Sequence, residues 1–114
     1  MRILVIGAGR TGTRVIRQLL KHPDIQILTA DPREALYAVE EGLIAQVDFV
    51  ENLNPVNLDQ IIHAASPDLV LLAMPTEEMG LGKAPGVDIL ADALREEIAA
   101  LADVPVIEVA RSGR

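Results

Sequence analysis

The stretch Arg2-Ile3-Leu4-Val5-Ile6-Gly7-Ala8-Gly9-Arg10-Thr11-Gly12 decides how this chain folds. Residues 2–6 are apolar at nearly every position, the pattern of a parallel strand buried on both faces. Residues 11–21 follow with helical spacing, placing Val15, Ile16, Leu19 and Leu20 on one face. Between strand and helix lies a G-x-G-x-x-G turn, and Asp31 closes the second predicted strand 19 residues after Gly12. Each piece has a physical task. Gly7 permits the tight turn, Gly9 lets a pyrophosphate approach the backbone, and Gly12 lets the helix pack closely on the strand. The helix start presents N–H groups and positive dipole to phosphates. Asp31 is placed to accept hydrogen bonds from both hydroxyls of an adenosine ribose. A glycine pattern alone is weak evidence; the strand before it, the helix after it and the acid at this distance make it a dinucleotide fingerprint.

The rest of the chain extends the same alternation. His22-Pro23-Asp24 ends the first helix, and residues 25–30 form a second strand. Asp31-Pro32 turns into a helix over about residues 33–41, stopped by Gly42. Residues 46–50 are a third strand. Two starts compete for the next helix, Asn54-Pro55 and Asn57, the latter with Gln60 at capping-box spacing. That helix runs to Ser66-Pro67, and residues 68–74 form a fourth strand. A glycine-rich loop over 76–86 precedes a helix over 87–102, with Leu90, Leu94, Ile98 and Leu101 at helical spacing, and a fifth strand over 104–109. The expected fold is a doubly wound α/β sheet of five parallel strands in the order 3-2-1-4-5, helices on both faces. Residues 1–110 make one dinucleotide-binding domain and 111–114 a frayed tail. The ligand crevice falls where the strand order reverses. Gly7, Ala8, Gly9, Arg10, Thr11 and Gly12 converge there with Asp31, Pro32 and Arg33, with Ala73, Met74, Pro75 and Thr76, and with Glu51-Asn52 nearby.

Composition narrows the function classes. Half the residues are hydrophobic, yet only Tyr37 and Phe49 are aromatic, so the core is aliphatic. A net charge of −7 with so few stacking rings argues against a nucleic-acid partner. It leaves room for a nucleotide held by a local glycine loop. No apolar run approaches the roughly 20 residues of a membrane span. The N-terminal apolar run ends in glycines rather than in a signal-peptide cleavage site. The absence of cysteine fits a reducing cytoplasm, the expected location, and removes thiol chemistry and Cys-based metal sites.

Asp31 favours NAD(H), because a carboxylate repels a 2′-phosphate; Arg33, two residues on, leaves NADP(H) open. S-adenosylmethionine is a poorer match, since Val5-Ile6 stand where its usual motif carries an acid. Arg10 reads equally as a pyrophosphate contact and as a solvated helix-start residue. Lys83, Glu77 and Glu78 lie in the 76–86 loop, a candidate lid, but read first as solvated side chains. His63 reads as a half-exposed helical residue rather than a catalytic acid, and His22 as a helix-end residue beside Pro23. Met74 either touches a cofactor or fills the core. No nucleophile triad, Lys-Tyr pair, paired carboxylates or metal-ligand spacing emerges, so neither catalytic residues nor a metal are assigned. Hydride transfer usually needs a second domain to hold substrate, and these residues build only the cofactor half. Gly12→Val is expected to crowd helix against strand; Asp31→Ala is expected to weaken NAD while sparing the fold.

With those residues placed, the chain resembles two groups of Rossmann-type NAD(P)-binding domains. Residues 3–12 are similar to the opening of the potassium-transport nucleotide-binding domain, called KTN, TrkA-N or RCK. That resemblance implies Gly7, Gly9, Arg10, Thr11, Gly12 and Asp31 as contacts to NAD(H) or a related adenine nucleotide. It also implies a dimer that regulates a transport partner. This chain departs from the family in carrying Glu51-Asn52 where a Gly-Asp commonly ends strand three, and Ala73-Met74-Pro75-Thr76 after strand four. Residues 22–31 and 68–75 resemble the N-terminal domain of saccharopine-dehydrogenase-like oxidoreductases, which continue into a substrate domain. The expected function is a small NAD(H)-binding sensor, regulatory module or cofactor subunit, a homo-oligomer or the companion of a regulated or catalytic protein. The alternative is an NAD(P)-dependent oxidoreductase half-site completed by a partner chain or a second copy.

Overall fold

The computed structural model describes residues 1–33, 37–51, 55–73 and 103–109, with single positions 86, 89, 93, 96 and 100. The strands are β1 (Arg2–Ile6), β2 (Gln26–Asp31), β3 (Phe49–Val50), β4 (Leu69–Leu72) and β5 (Val106–Glu108). Helices α1 (Arg10–Leu19), α2 (Tyr37–Glu40) and α3 (Pro55–Ala65) connect the first four. All strand pairs are parallel, and the order is β3-β2-β1-β4-β5, as the sequence predicts.

The unbroken apolar run of β1 is explained by burial on both sides. Leu4 and Ile6 face a core shared with Ala30, Val70, Leu72 and the α3 residues Leu58, Ile61 and Ala65. Ile3 and Val5 face a second core with Ile16 of α1, Ala38 of α2, Val47 and Ala73. Period-two alternation thus supplies both faces from one strand. Each fully buried Leu, Ile or Val contributes about 1.5–3 kcal/mol of transfer free energy. The i, i+3, i+7 placement of Leu58, Ile61 and Ala65 fixes which side of α3 meets the sheet.

Several boundaries differ from the sequence reading, each for a local reason. Helix α1 starts at Arg10, with Gly9 as its N-cap, and ends at Leu19. Helix α3 begins at Pro55, so Asn57 is not its cap; proline suits the first turn because its missing N–H has no partner to lose. Strand β3 is only two residues long, and 46–48 are not strand. There a side chain replaces the ladder. Asp48 Oδ2 accepts from the N–H (2.8 Å) and hydroxyl (3.2 Å) of Thr29, while the Asp48 N–H donates to Thr29 Oγ1 at 3.1 Å. Strands β4 and β5 are each shorter than predicted at both ends. Gly42 has φ +75 and follows α2, the left-handed stop its position calls for. Ile89, Ala93, Glu96 and Ala100 are helical and exposed; the rest of the 87–102 prediction, the 76–85 part of the loop and the 111–114 tail lie outside the described residues.

Candidate functional site

The site is built where β1, β2 and β4 end together. Beyond Ile6 the backbone turns at Gly7, whose φ of 116° a side chain would strain. Gly7 N–H donates to Ala30 O at 2.7 Å, and Ala73 N–H donates to Ile6 O at 2.9 Å. The turn is therefore clamped between the ends of β2 and β4. Gly12 meets the other side of it. A Cβ built at Gly12 would lie 1.9 Å from Gly7 O and 2.5 Å from Gly7 C, both backbone atoms. The third glycine is thus required by contact between the helix and its own entry turn.

No side chain caps α1, and no acid lies in its first turn. Gly7, Ala8, Gly9, Thr11 and Gly12 are buried, whereas Arg10 is exposed. Thr13, also buried, donates from Oγ1 to Ala8 O at 3.4 Å, and Ala38 N–H donates to the same oxygen at 3.3 Å, which brings α2 against the turn. An open groove of about 230 Å³ lies beside it, lined by Arg10, Thr13, Arg14, Arg17 and Glu41. Arg17 and Glu41 form an ion pair across its far end.

Asp31 is the centre of the arrangement. Its side chain is 0% exposed, and both oxygens are engaged. Oδ2 accepts from Ala8 N–H at 3.0 Å and from Arg33 Nη2 at 3.3 Å; Oδ1 accepts from Arg33 N–H at 2.9 Å and Arg33 Nε at 3.1 Å. The bond to the N–H two residues on is an Asx-turn, with Pro32 fixing the intervening backbone. Asp31 therefore ties the glycine turn to the end of β2, its carboxylate buried and engaged at both oxygens. This corrects the expectation that Asp31→Ala spares the fold: that change leaves the Ala8 and Arg33 N–H groups without their acceptor.

The structure brings Gly7 to Gly12, Asp31, Pro32, Arg33 and Ala73 to one edge; Ala73 is 1% exposed at the end of β4. Met74, Pro75 and Thr76 lie outside the described residues, as do Asn52, Glu77, Glu78 and Lys83. His63 belongs to the opposite edge. It sits near the end of α3, 74% exposed, with Nδ1 2.8 Å from Asp59 O. That backbone hydrogen bond, then the Asp59 charge, raises its pKa. Sequence reasoning missed the Asp31–Arg33 pairing, although the Asp-Pro-Arg spacing of an Asx-turn was its signal. Among the described residues no group of three His, Asp or Glu side chains is placed to hold a metal, and no helix is long and apolar enough to cross a membrane.

No family model and no curated protein matches the chain. Among solved structures, it is similar to a UDP-glucose 4-epimerase from Thermotoga maritima determined with UDP-glucose. The TM-score is 0.64 at 19% identity, covering 95% of this chain and 37% of that one. It is also similar to the UDP-glucose 4-epimerase of Thermus thermophilus in complex with NAD, with a TM-score of 0.52 at 19% identity over 89% of this chain and 30% of that one. These likenesses show a Rossmann-type fold. The chain spans about a third of the length of each epimerase.

Proposed function

We propose that this chain is a small NAD(H)-binding Rossmann protein, acting as a nucleotide sensor, regulatory module or cofactor-binding subunit. The observation that carries the reading is the 3.0 Å hydrogen bond from Ala8 to Asp31, which holds the ribose-binding acid against the phosphate turn. In this reading the turn of Gly7, Gly9 and Gly12 receives the pyrophosphate on the N–H groups at the start of α1 and on its dipole, while Gly7, its own N–H held by Ala30 O, shapes the turn. Asp31 receives the adenosine ribose, with Pro32 and Arg33 at its rim. Arg10 and Thr11 flank the phosphates, and Ala73, Met74, Pro75 and Thr76 line the far side of the cofactor. The NAD carried by the Thermus thermophilus neighbour on the same fold supports the ligand class.

Residues 1–110 work as one domain, in the cytoplasm, paired with a second copy or a regulated partner as in the TrkA-N resemblance. A second reading is an oxidoreductase half-site, NAD(P)-dependent and completed by another chain or a second copy, as the saccharopine-dehydrogenase resemblance implies. Calorimetric titration with NAD⁺, NADH, NADP⁺, NADPH, AMP and S-adenosylmethionine tests the proposal. Saturable binding of NAD(H) ahead of the others is expected; binding of none of the six overturns it.

A further inference from the structure

We infer that the groove along α1 is a binding site for a small, doubly charged oxyanion, met by the guanidinium groups of Arg14 and Arg17 and separate from the place given to the dinucleotide. The groove has a volume of about 230 Å³ and is lined by Arg10, Thr13, Arg14, Arg17 and Glu41. Three guanidinium groups meet one carboxylate there, an excess of positive charge in a chain whose net charge is −7.

This grouping runs against local preference. Arg14 stands four residues from Arg10 and three from Arg17, so both pairs are like charges facing each other on one helix. Arg10 adds a cation to the first turn, where the helix dipole disfavours it and where no acid compensates. Glu41 offsets only part of the charge, through its ion pair with Arg17. Arg14 is exposed and makes no hydrogen bond or ion pair among the described residues. Its guanidinium therefore receives an anion without giving up a partner, and the anion relieves the repulsion.

Size and donors define the ligand. The groove is smaller than the roughly 300–1,000 Å³ of pockets that enclose drug-sized molecules, so it suits a phosphate or a short dicarboxylate rather than a nucleotide. Thr13 Oγ1 already donates to Ala8 O at 3.4 Å, which leaves the arginine N–H groups as the side-chain donors. Their planar fork fits the paired oxygens of phosphate and carboxylate, and a dianion matches the excess charge. Arg14 and Arg17 stand one and two turns beyond Arg10, past the N–H groups at the start of α1. The groove and the glycine turn are thus occupied independently, and this site does not depend on the dinucleotide reading.

The test is an NMR titration of the arginine Nε–H groups with inorganic phosphate and with succinate, at constant ionic strength, with and without NADH. Shifts at Arg14 and Arg17 are expected to saturate at about 1–10 mM of the preferred anion and to persist with NADH present. The tighter of the two anions tells a phosphate ligand from a dicarboxylate one. Arg14→Ala should weaken binding at least about tenfold, and Arg14→Lys by less, since it keeps the charge without the fork. Glu41→Gln removes the acid of the lining and should tighten binding about two- to fivefold. Shifts that never saturate would mark an adventitious ion only and overturn the inference. So would binding unaltered by Arg14→Ala in a variant of unchanged melting temperature, or shifts that vanish with NADH, which would place the phosphate at the glycine turn. Anion binding that needs Arg14 in a protein that binds no NADH would overturn the proposed function and leave this site standing.

Discussion

The two ends of the sheet carry similar kinds of polar groups and use them differently. At the carboxyl edge Asp31, Thr29, Thr11 and Thr13 are buried, and the bonds of Asp31, Thr29 and Thr13 run to neighbouring elements. At the amino edge the contacts are of the same chemical kinds but are exposed or only part-buried. Asp68 accepts from Arg2 N–H at 2.8 Å, Arg2 donates to Gln26 Oε1 and Ala65 O, and His63 pairs with Asp59. Pairing alone therefore does not mark a site. An acid is distinguished when it is removed from water, held by backbone donors and set beside a turn in which side chains have been excluded. Only the carboxyl edge of this sheet meets all three conditions among the described residues.

Substitutions at the two edges should separate accordingly. The largest effect is expected from Gly12→Ala, because the added methyl falls 1.9 Å from a backbone oxygen that no rotamer change can move. A loss of at least about 3 kcal/mol is expected in chemical denaturation. A near-neutral Gly12→Ala would show that helix and turn are not in contact as described. Asp31→Ala should come next, at about 2–4 kcal/mol, since it strands two backbone donors, one of them buried. Asp68→Ala removes an equally short hydrogen bond at the exposed edge and should cost less than about 1 kcal/mol. Equal losses from the two Asp variants would erase the contrast between the edges.

The smallest effect concerns His63. Its pKa is raised by the Asp59 carbonyl and charge, so the stabilisation is fully present below the ordinary histidine value near 6.5 and fades as pH rises through the higher folded-state value. Exposure keeps it small. Melting temperatures compared at about pH 5.5 and 8 should show a slight decline with pH that His63→Gln removes. A larger decline, or one of opposite sign, would mean that the amino edge holds a buried titrating group.

What the sequence disclosed follows the same division. The β1–turn–α1 passage was legible because a strand buried on both faces must be apolar throughout and because Gly7 and Gly12 answer steric demands. Strand order followed from the alternation of elements and the crossover rule. Strand β3 was foreseen over residues 46–50, but its short extent was not legible, since its role in the ladder is shared with the Asp48 side chain, whose partner Thr29 lies 19 residues away in sequence. The start of α3 turned on a choice between a proline and a capping asparagine, which propensity alone does not resolve. Within the site, the glycines and Asp31 could be located by spacing. The state of Asp31 could not, because it depends on where the long, part-exposed side chain of Arg33 settles.

The most direct measurement is an amide chemical-shift map of the protein titrated with NADH. Saturable shifts are expected at Gly7, Ala8, Gly9, Gly12 and Arg33, with Gln26, Ser66 and Asp68 at the amino edge unmoved. Shifts centred on the amino edge, or none at either edge at millimolar NADH, would contradict the placement of the dinucleotide at the glycine turn.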